Sequence, residues 1–323
     1  DGKTLYAHKI AGYIFSGCPD FTKITFINFD TSKSTMMNGM FSGQAAVKSL
    51  NLSGWNTSNV TYMNSMFDGC TNLTTLNVDG WDTSNVEHMY NMFENCKSLK
   101  KLDLSHFNTE NVTSFSSMFS NCLALEELDI SGFNTANSNS IQEMFRNCES
   151  LKSLDLSNFD TSKTVYTLRI FYGCKSLETL TGLENWNMEK AFQLDGAFEH
   201  CSSLKELDLS GWKTLNAISY GFMFGYCDNL EVLHLDNFYM SFSTGDLFDL
   251  DYMFYQCPKL KTIYAQDWVA PGTSTGLRGH WMFGGCDSLV GKVALADVGT
   301  SNLSMAHTEG YFTHPSVKEQ VNP

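Results

Sequence analysis

The sequence predicts an α/β repeat fold, a right-handed solenoid with a parallel sheet on one face and short helices on the other. Two observations carry this. The dipeptide Met-Phe, or a close variant, returns with the same neighbours from Ile14, Met40, Met66, Met92, Met118, Met144, Ile170, Ala197, Met223, Met253 and Met282. The first six steps are each 26 residues and the last four are 27, 26, 30 and 29. Within every unit, moreover, the apolar period switches from alternation to helical spacing. A unit of this size cannot bury its apolar face alone, so neighbours stack and share a continuous core.

Each element can be justified from the unit that begins at Met66. In Leu73-x-x-Leu76-x-Val78 the last two apolar residues alternate with polar ones, as in a short strand with one buried face. Trp81 follows as a large apolar anchor. Its slot holds Trp55, Phe107, Phe133, Phe159, Trp186, Trp212, Phe238 and Trp268 in other units, and all are assigned to the core. Asp82-Thr83-Ser84-Asn85 is rich in turn and N-cap formers. Met89, Met92 and Phe93 then fall at i, i+3 and i+4, which predicts a short helix. The slot before each cysteine holds Gly17, Gly43, Gly69, Asn95, Asn121, Asn147 and Gly173. Gly and Asn tolerate the left-handed backbone expected to stop that helix.

Composition sets the boundaries. The 323 residues carry a formal net charge of −14 with a pI near 4.9, and 42% are hydrophobic. No basic cluster interrupts the acidic balance, which argues against a surface that tracks nucleic-acid phosphates. No apolar run of about 18 residues exists to span a membrane. Residues 1–13 read as a lead-in, 14–286 as eleven coils of one solenoid, and 287–323 as a cap that shields the open core. The start at Asp1, without a Met or a signal pattern, suggests a processed or excised chain, expected to be monomeric.

The phrase Cys96-Lys97-Ser98-Leu99-Lys100-Lys101-Leu102-Asp103-Leu104-Ser105-His106-Phe107-Asn108-Thr109-Glu110-Asn111-Val112 resembles the 26-residue leucine-rich repeat of bacterial surface proteins, the BspA-like family. The resemblance runs from Ile14 to Cys286, and Gly310-Tyr311-Phe312-Thr313 is similar to the segment that closes such arrays. It departs where Gln44 replaces Cys, where Ala197 replaces Met, and where the last two steps lengthen. It implies an extracellular leucine-rich-repeat protein of the cell surface or cell wall, adhering to host cell-surface or extracellular-matrix proteins. A carbohydrate-binding or nutrient-capture surface is the alternative.

All ten cysteines, Cys18, Cys70, Cys96, Cys122, Cys148, Cys174, Cys201, Cys227, Cys257 and Cys286, share one slot. None forms a Cys-x-x-Cys pair, so a zinc site is not expected. Equivalent side chains in stacked coils point in parallel. Ten buried, reduced thiols are therefore expected and no disulfide. The eight histidines fall in different slots and form no helical metal pair, and no nucleophile motif or phosphate loop appears. No catalytic residue, metal or cofactor is assigned.

Two candidate surfaces remain. Asp103, Asp129 and Asp155 occupy one outward strand position in adjacent coils, a carboxylate ladder that repels itself unless Ser105, Ser131 and Ser157, Lys101 or a cation offsets it. In the last third, the slot before Met-Phe changes from Ser65, Asn91, Ser117, Glu143, Arg169 and Gly196 to Phe222, Tyr252 and Trp281, with Tyr226 and Tyr255 nearby. The steps lengthen there, inserting Tyr239-Met240-Ser241-Phe242 and Pro271-Gly272-Thr273-Ser274. Phe222, Tyr226, Tyr252, Tyr255 and Trp281, with Arg278 and His280 as a polar rim, form the expected binding surface; packing beneath the inserted loops is the other reading.

Overall fold

A computed structural model describes residues 5–17, 21–238, 249–266, 279–289, 306 and 312–313. The chain divides into two compact units, Asp1–Lys163 and Thr164–Pro323. In the first, β1 (Leu5–Tyr6) pairs in parallel with β2 (Phe29–Asp30), β3 (Ser49–Asn51) with β4 (Thr75–Asn77), and β5 (Lys101–Asp103) with β6 (Glu127–Asp129). β7 (Ser153–Asp155) is the last strand of this unit. The second unit begins with β8 (Thr179–Thr181) and continues with a parallel sheet of β9 (Glu206–Asp208), β10 (Val232–Leu235), β11 (Thr262–Ala265) and β12 (Phe312–Thr313), in that order.

Register follows the repeat. Leu50 faces Leu76 and Leu102 faces Leu128, while Leu207, Leu233, Ile263 and Phe312 align across the second sheet. Most strands are three residues long with the middle side chain turned inward, as in Ser49–Asn51 and Lys101–Asp103. The leucine-rich-repeat solenoid with a parallel sheet is therefore what each unit builds.

The expected short helices are not there. Among the described residues the only helical element is a three-residue 3-10 turn, Leu183–Asn185. The backbone hydrogen bonds give the reason. In the second coil the N–H groups of Met37, Gly39, Phe41 and Gly43 donate to carbonyls of Tyr62, Asn64, Met66 and Asp68 in the next coil, at 2.7–2.9 Å. The intervening N–H groups of Met40, Ser42 and Gln44 donate three residues back in their own coil. Half the donors thus leave sideways, and a run of i→i−4 bonds cannot form.

Backbone handedness blocks a helix as well. The slot before cysteine is left-handed as expected, with φ of 72° at Gly17, 76° at Gly43, 61° at Asn95 and 60° at Asn121. A second left-handed slot lies four residues earlier. There φ is 57° at Ser65, 57° at Asn91, 53° at Ser117 and 54° at Glu143. A right-handed helix cannot pass through two such residues in five. The Met, Met, Phe spacing is the packing period of this double turn. Its imitation of a helical stripe is what misleads the sequence reading.

Aromatic columns fill the core. In the first unit Phe41, Phe67, Phe93, Phe119 and Phe145 stack with centroids 5.5–5.8 Å apart and ring planes within 10°. In the second, Phe171, Phe198, Phe224, Phe254 and Phe283 stack at 5.2–5.7 Å, with planes within 5° except for the 21° between Phe171 and Phe198. The post-strand aromatics from Trp55 to Phe238 are buried, and the Trp81 and Trp212 indoles donate to the Leu52 and Leu183 carbonyls. Trp268 lies outside the described residues.

Nine cysteines are described, all free and buried; Cys18 lies outside. Each thiol of Cys70, Cys96, Cys122 and Cys148 donates to the carbonyl of the phenylalanine one coil back, at 3.2–3.3 Å. Gln44, where the series is broken, sends Nε2 to the Phe15 carbonyl and so fills the same role. Burial pushes the Cys70 and Cys122 thiols up to about 12 and the Cys96, Cys201 and Cys257 thiols well above their usual range.

Candidate functional site

The carboxylate ladder lies in the first unit. Asp103 and Asp129 are exposed and sit opposite each other on β5 and β6, and Asp155 is exposed on β7. Each Oδ1 accepts the N–H of the serine two residues on, from Ser105 at 2.9 Å, Ser131 at 3.0 Å and Ser157 at 3.0 Å. The Ser105 and Ser157 hydroxyls donate to the same oxygens, at 2.7 and 2.5 Å. The Ser105 hydroxyl, then its N–H, holds Asp103 below the usual carboxylate range. The expected serine donors are therefore in place. Lys101 instead pairs with Glu127 at 2.6 Å. Two shallow grooves of about 410 and 460 Å³ run along these strands, one lined by Asp129, Asp155 and Ser157, the other by Asp103 and Asp129. Among the described residues no three His, Cys, Asp or Glu side chains come together as a metal would require.

The late aromatics lie in the second unit, and the solenoid brings them together. Phe222 and Tyr252, equivalent residues of adjacent coils, stack at 4.6 Å with planes 9° apart. Tyr255 sets its edge against Tyr252, Tyr226 and Phe222 at 5.4, 5.6 and 6.5 Å. Phe222, Tyr226, Tyr252 and Tyr255 are half-buried, and Trp281 is 53% exposed. A side chain added at Gly284 would start 2.9 Å from the Trp281 ring and 3.1 Å from that of Tyr255, so those two rings converge over this glycine. His280 donates its N–H to Asp251 Oδ1 at 2.7 Å and places Nδ1 3.0 Å from the same oxygen. Arg278 and both insertions, Tyr239–Phe242 and Pro271–Ser274, lie outside the described residues.

The backbone beneath these rings is unusual. Phe222, Tyr226, Tyr252 and Trp281 have φ of 54°, 59°, 61° and 55°. Earlier coils fill the Tyr226 slot mostly with Gly or Asn, which reach that conformation at low cost, whereas the slot of Phe222, Tyr252 and Trp281 also holds Tyr13, Ser65, Ser117, Glu143 and Arg169. Bulky side chains pay about 1–2 kcal/mol each there. The aromatics thus occupy positions that stability alone would give to Gly or Asn.

The cluster also reaches further back than the sequence reading placed it. His200 stacks on Tyr226 at 4.5 Å, and Tyr172 meets His200 edge-on at 5.6 Å. The Arg169 guanidinium lies 5.7 Å from the centroid of the Tyr172 ring. The missed signal was register. His200 shares the slot of Tyr226, and Tyr172 that of Tyr255, once the longer steps are allowed for.

Comparison with known proteins agrees with this architecture. A family profile described as "Mycoplasma protein of unknown function, DUF285" matches residues 10–101, 70–181 and 153–268. No curated protein matches the chain. Among solved structures, a leucine-rich repeat protein from Bacteroides ovatus aligns with a TM-score of 0.52 and 18% identity, covering 89% of this chain and 69% of its own. A leucine rich cell surface protein from Faecalibacterium prausnitzii aligns at 0.39 and 14%, covering 81% and 76%. The first supports the fold, as the resemblance to bacterial leucine-rich repeats implied. No described helix is long and apolar enough to cross a membrane.

Proposed function

Because this chain belongs to the DUF285 family, and its repeats build a leucine-rich-repeat solenoid in each unit, we propose that it is a binding protein acting outside the cell. Its partner in this reading is a protein of a host cell surface or extracellular matrix, held on the aromatic face of the second unit. One observation carries the proposal. Phe222, Tyr252 and Trp281 occupy one left-handed slot of successive coils; Phe222 and Tyr252 stack and stay partly exposed, and Trp281 is 53% exposed. Aromatic rings supply large contact area at low rotamer cost, and they dominate interface hot spots.

The test uses Tyr252→Ser and Trp281→Ser, since serine occupies the same slot at Ser65 and Ser117. Attachment to host-cell-surface and matrix extracts should weaken about tenfold or more while the fold remains intact. Competition by soluble sugars identifies a carbohydrate ligand instead. Variants that melt several degrees lower, or that stay folded and bind undiminished, refute the assignment.

A further inference from the structure

The aromatic face contains a pattern that names the chemistry of its partner. At its start the chain supplies its own cation. The Arg169 guanidinium lies 5.7 Å from the centroid of the Tyr172 ring. A side chain at Gly196 would begin 3.1 Å from Arg169 Cγ and 3.0 Å from Glu199 Oε2, so the arginine stem crosses a bare glycine beside a carboxylate. Burial raises the Glu199 carboxyl and the Arg169 charge opposes that rise. The motif is therefore a ring for the guanidinium face, a glycine for the stem and a carboxylate for the charge.

The later coils keep rings and carboxylates on this face, with Phe222, Tyr252 and Trp281 in the slot that holds Arg169. Phe222, Tyr252, Tyr255 and Trp281 are the rings. Gly225 and Gly284 occupy the slot of Tyr172 and lie beneath the rings: an added side chain would start 3.1 Å from the Phe222 ring and 2.9 Å from the Trp281 ring, and one at Gly221 would start 3.1 Å from Asp195 Oδ1. The same point at Gly221 is 3.8 Å from Asp249 Oδ2, and Asp251 follows two residues later. Asp195 Oδ1 accepts the Ser219 hydroxyl and the Gly221 N–H, while its Oδ2 is out of solvent with no hydrogen-bond partner. The chain as a whole carries −14.

We propose that the partner presents arginine side chains to this face, each guanidinium stacking on the rings of Phe222, Tyr252 or Trp281 beside Asp249 and Asp251. This rests on the binding reading above and specifies its ligand. Arginine suits the site better than a metal ion, because the rings offer a flat face and no third carboxylate joins the pair over Gly221.

The probe is a fluorescein-labelled octa-arginine peptide titrated into the full chain, with octa-glutamate as the charge-reversed control. Asp249→Asn with Asp251→Asn keeps the Oδ1 acceptors and removes two charges from the aromatic face. Asp103→Asn with Asp129→Asn removes two charges from the carboxylate ladder. The first pair, and Trp281→Ser separately, should weaken octa-arginine binding at least fivefold, and the ladder pair less than twofold. If the first pair fails to fold, Asp228→Asn, exposed and close enough to His200 to influence its charge, should weaken binding twofold or more. Equal weakening by the two pairs would mean general attraction to an acidic protein and overturns the proposal, as does absence of octa-arginine binding. If octa-arginine fails while Trp281→Ser still abolishes attachment to extracts, the arginine inference is wrong and the binding face stands.

Discussion

Replacing Cys122 by serine separates the buried thiol from every other group that titrates at high pH. Cys122 is fully buried, donates to the Phe93 carbonyl at 3.2 Å, and is pushed by burial from 9.0 up to about 12. The folded chain therefore holds a proton there that the unfolded chain releases. The stabilisation is complete below about pH 9 and declines as pH rises from 9 towards 12. One pH unit above the unfolded value, the loss is about 1 kcal/mol for this thiol alone. Serine keeps a donor for the carbonyl and has no proton to lose in this range. Urea unfolding of both chains at pH 8 and pH 10, with reductant present, gives the comparison. Tyrosine and lysine ionisation cancels between them. The wild type should lose about 1 kcal/mol more than Cys122→Ser across that interval, read as a larger fall in the urea midpoint. Equal losses would show that the thiol titrates normally and that the burial argument is wrong. Because Cys70, Cys96, Cys201 and Cys257 share the raised state, stability of the wild type should fall steeply above pH 9.

Further outcomes follow from the same contacts. Denatured chain should consume about ten equivalents of a thiol reagent without prior reduction, and native chain few at pH 8; rapid labelling of native chain, or a disulfide in a non-reduced peptide map, contradicts the buried ladder. Ser117, at φ 53°, should tolerate glycine with unchanged or slightly higher stability, whereas Ser117→Val should cost about 1–2 kcal/mol; a valine variant as stable as wild type denies the left-handed slot. Phe93→Ala removes one ring from the middle of a stacked column and should cost about 3–5 kcal/mol in the same urea assay, with a smaller loss pointing to a core that collapses around the gap.

The strands and the core were legible because both rest on residue type at a fixed step. Leu102 and Asp103 alternate in the sequence as they do in β5, and the Trp81 slot reads as core and is core. The turn side was not. Met89, Met92 and Phe93 have the spacing of a helical stripe, yet Asn91, between them, is left-handed and donates its N–H to Ser116 of the next coil. Nothing in a single unit reveals that donor's direction, because the bond exists only once coils stack. The left-handed slot itself was partly hidden by its occupants. Gly39 and Asn91 announce it, but Glu143, Arg169 and Trp281 argue against it. Candidate surfaces were found where the occupant changed type, as at Phe222 and Tyr252. Tyr172 and His200 escaped because each looks ordinary within its own coil.

The sideways hydrogen bonds also limit how this chain can change length. The Ser65 N–H donates to Tyr90, and the Asn91 N–H to Ser116, each partner lying one step along. Excising the twenty-six residues from Asn91 to Ser116 would join Tyr90 to Ser117, another left-handed residue, whose N–H already donates to Gln142. Such a deletion preserves the pairing rule at the seam. Loss of a single residue in the same stretch exchanges sideways donors for inward ones throughout that coil. Recombination can thus shorten or extend the array by whole periods with little penalty, while frame-preserving losses of one or two residues are disfavoured.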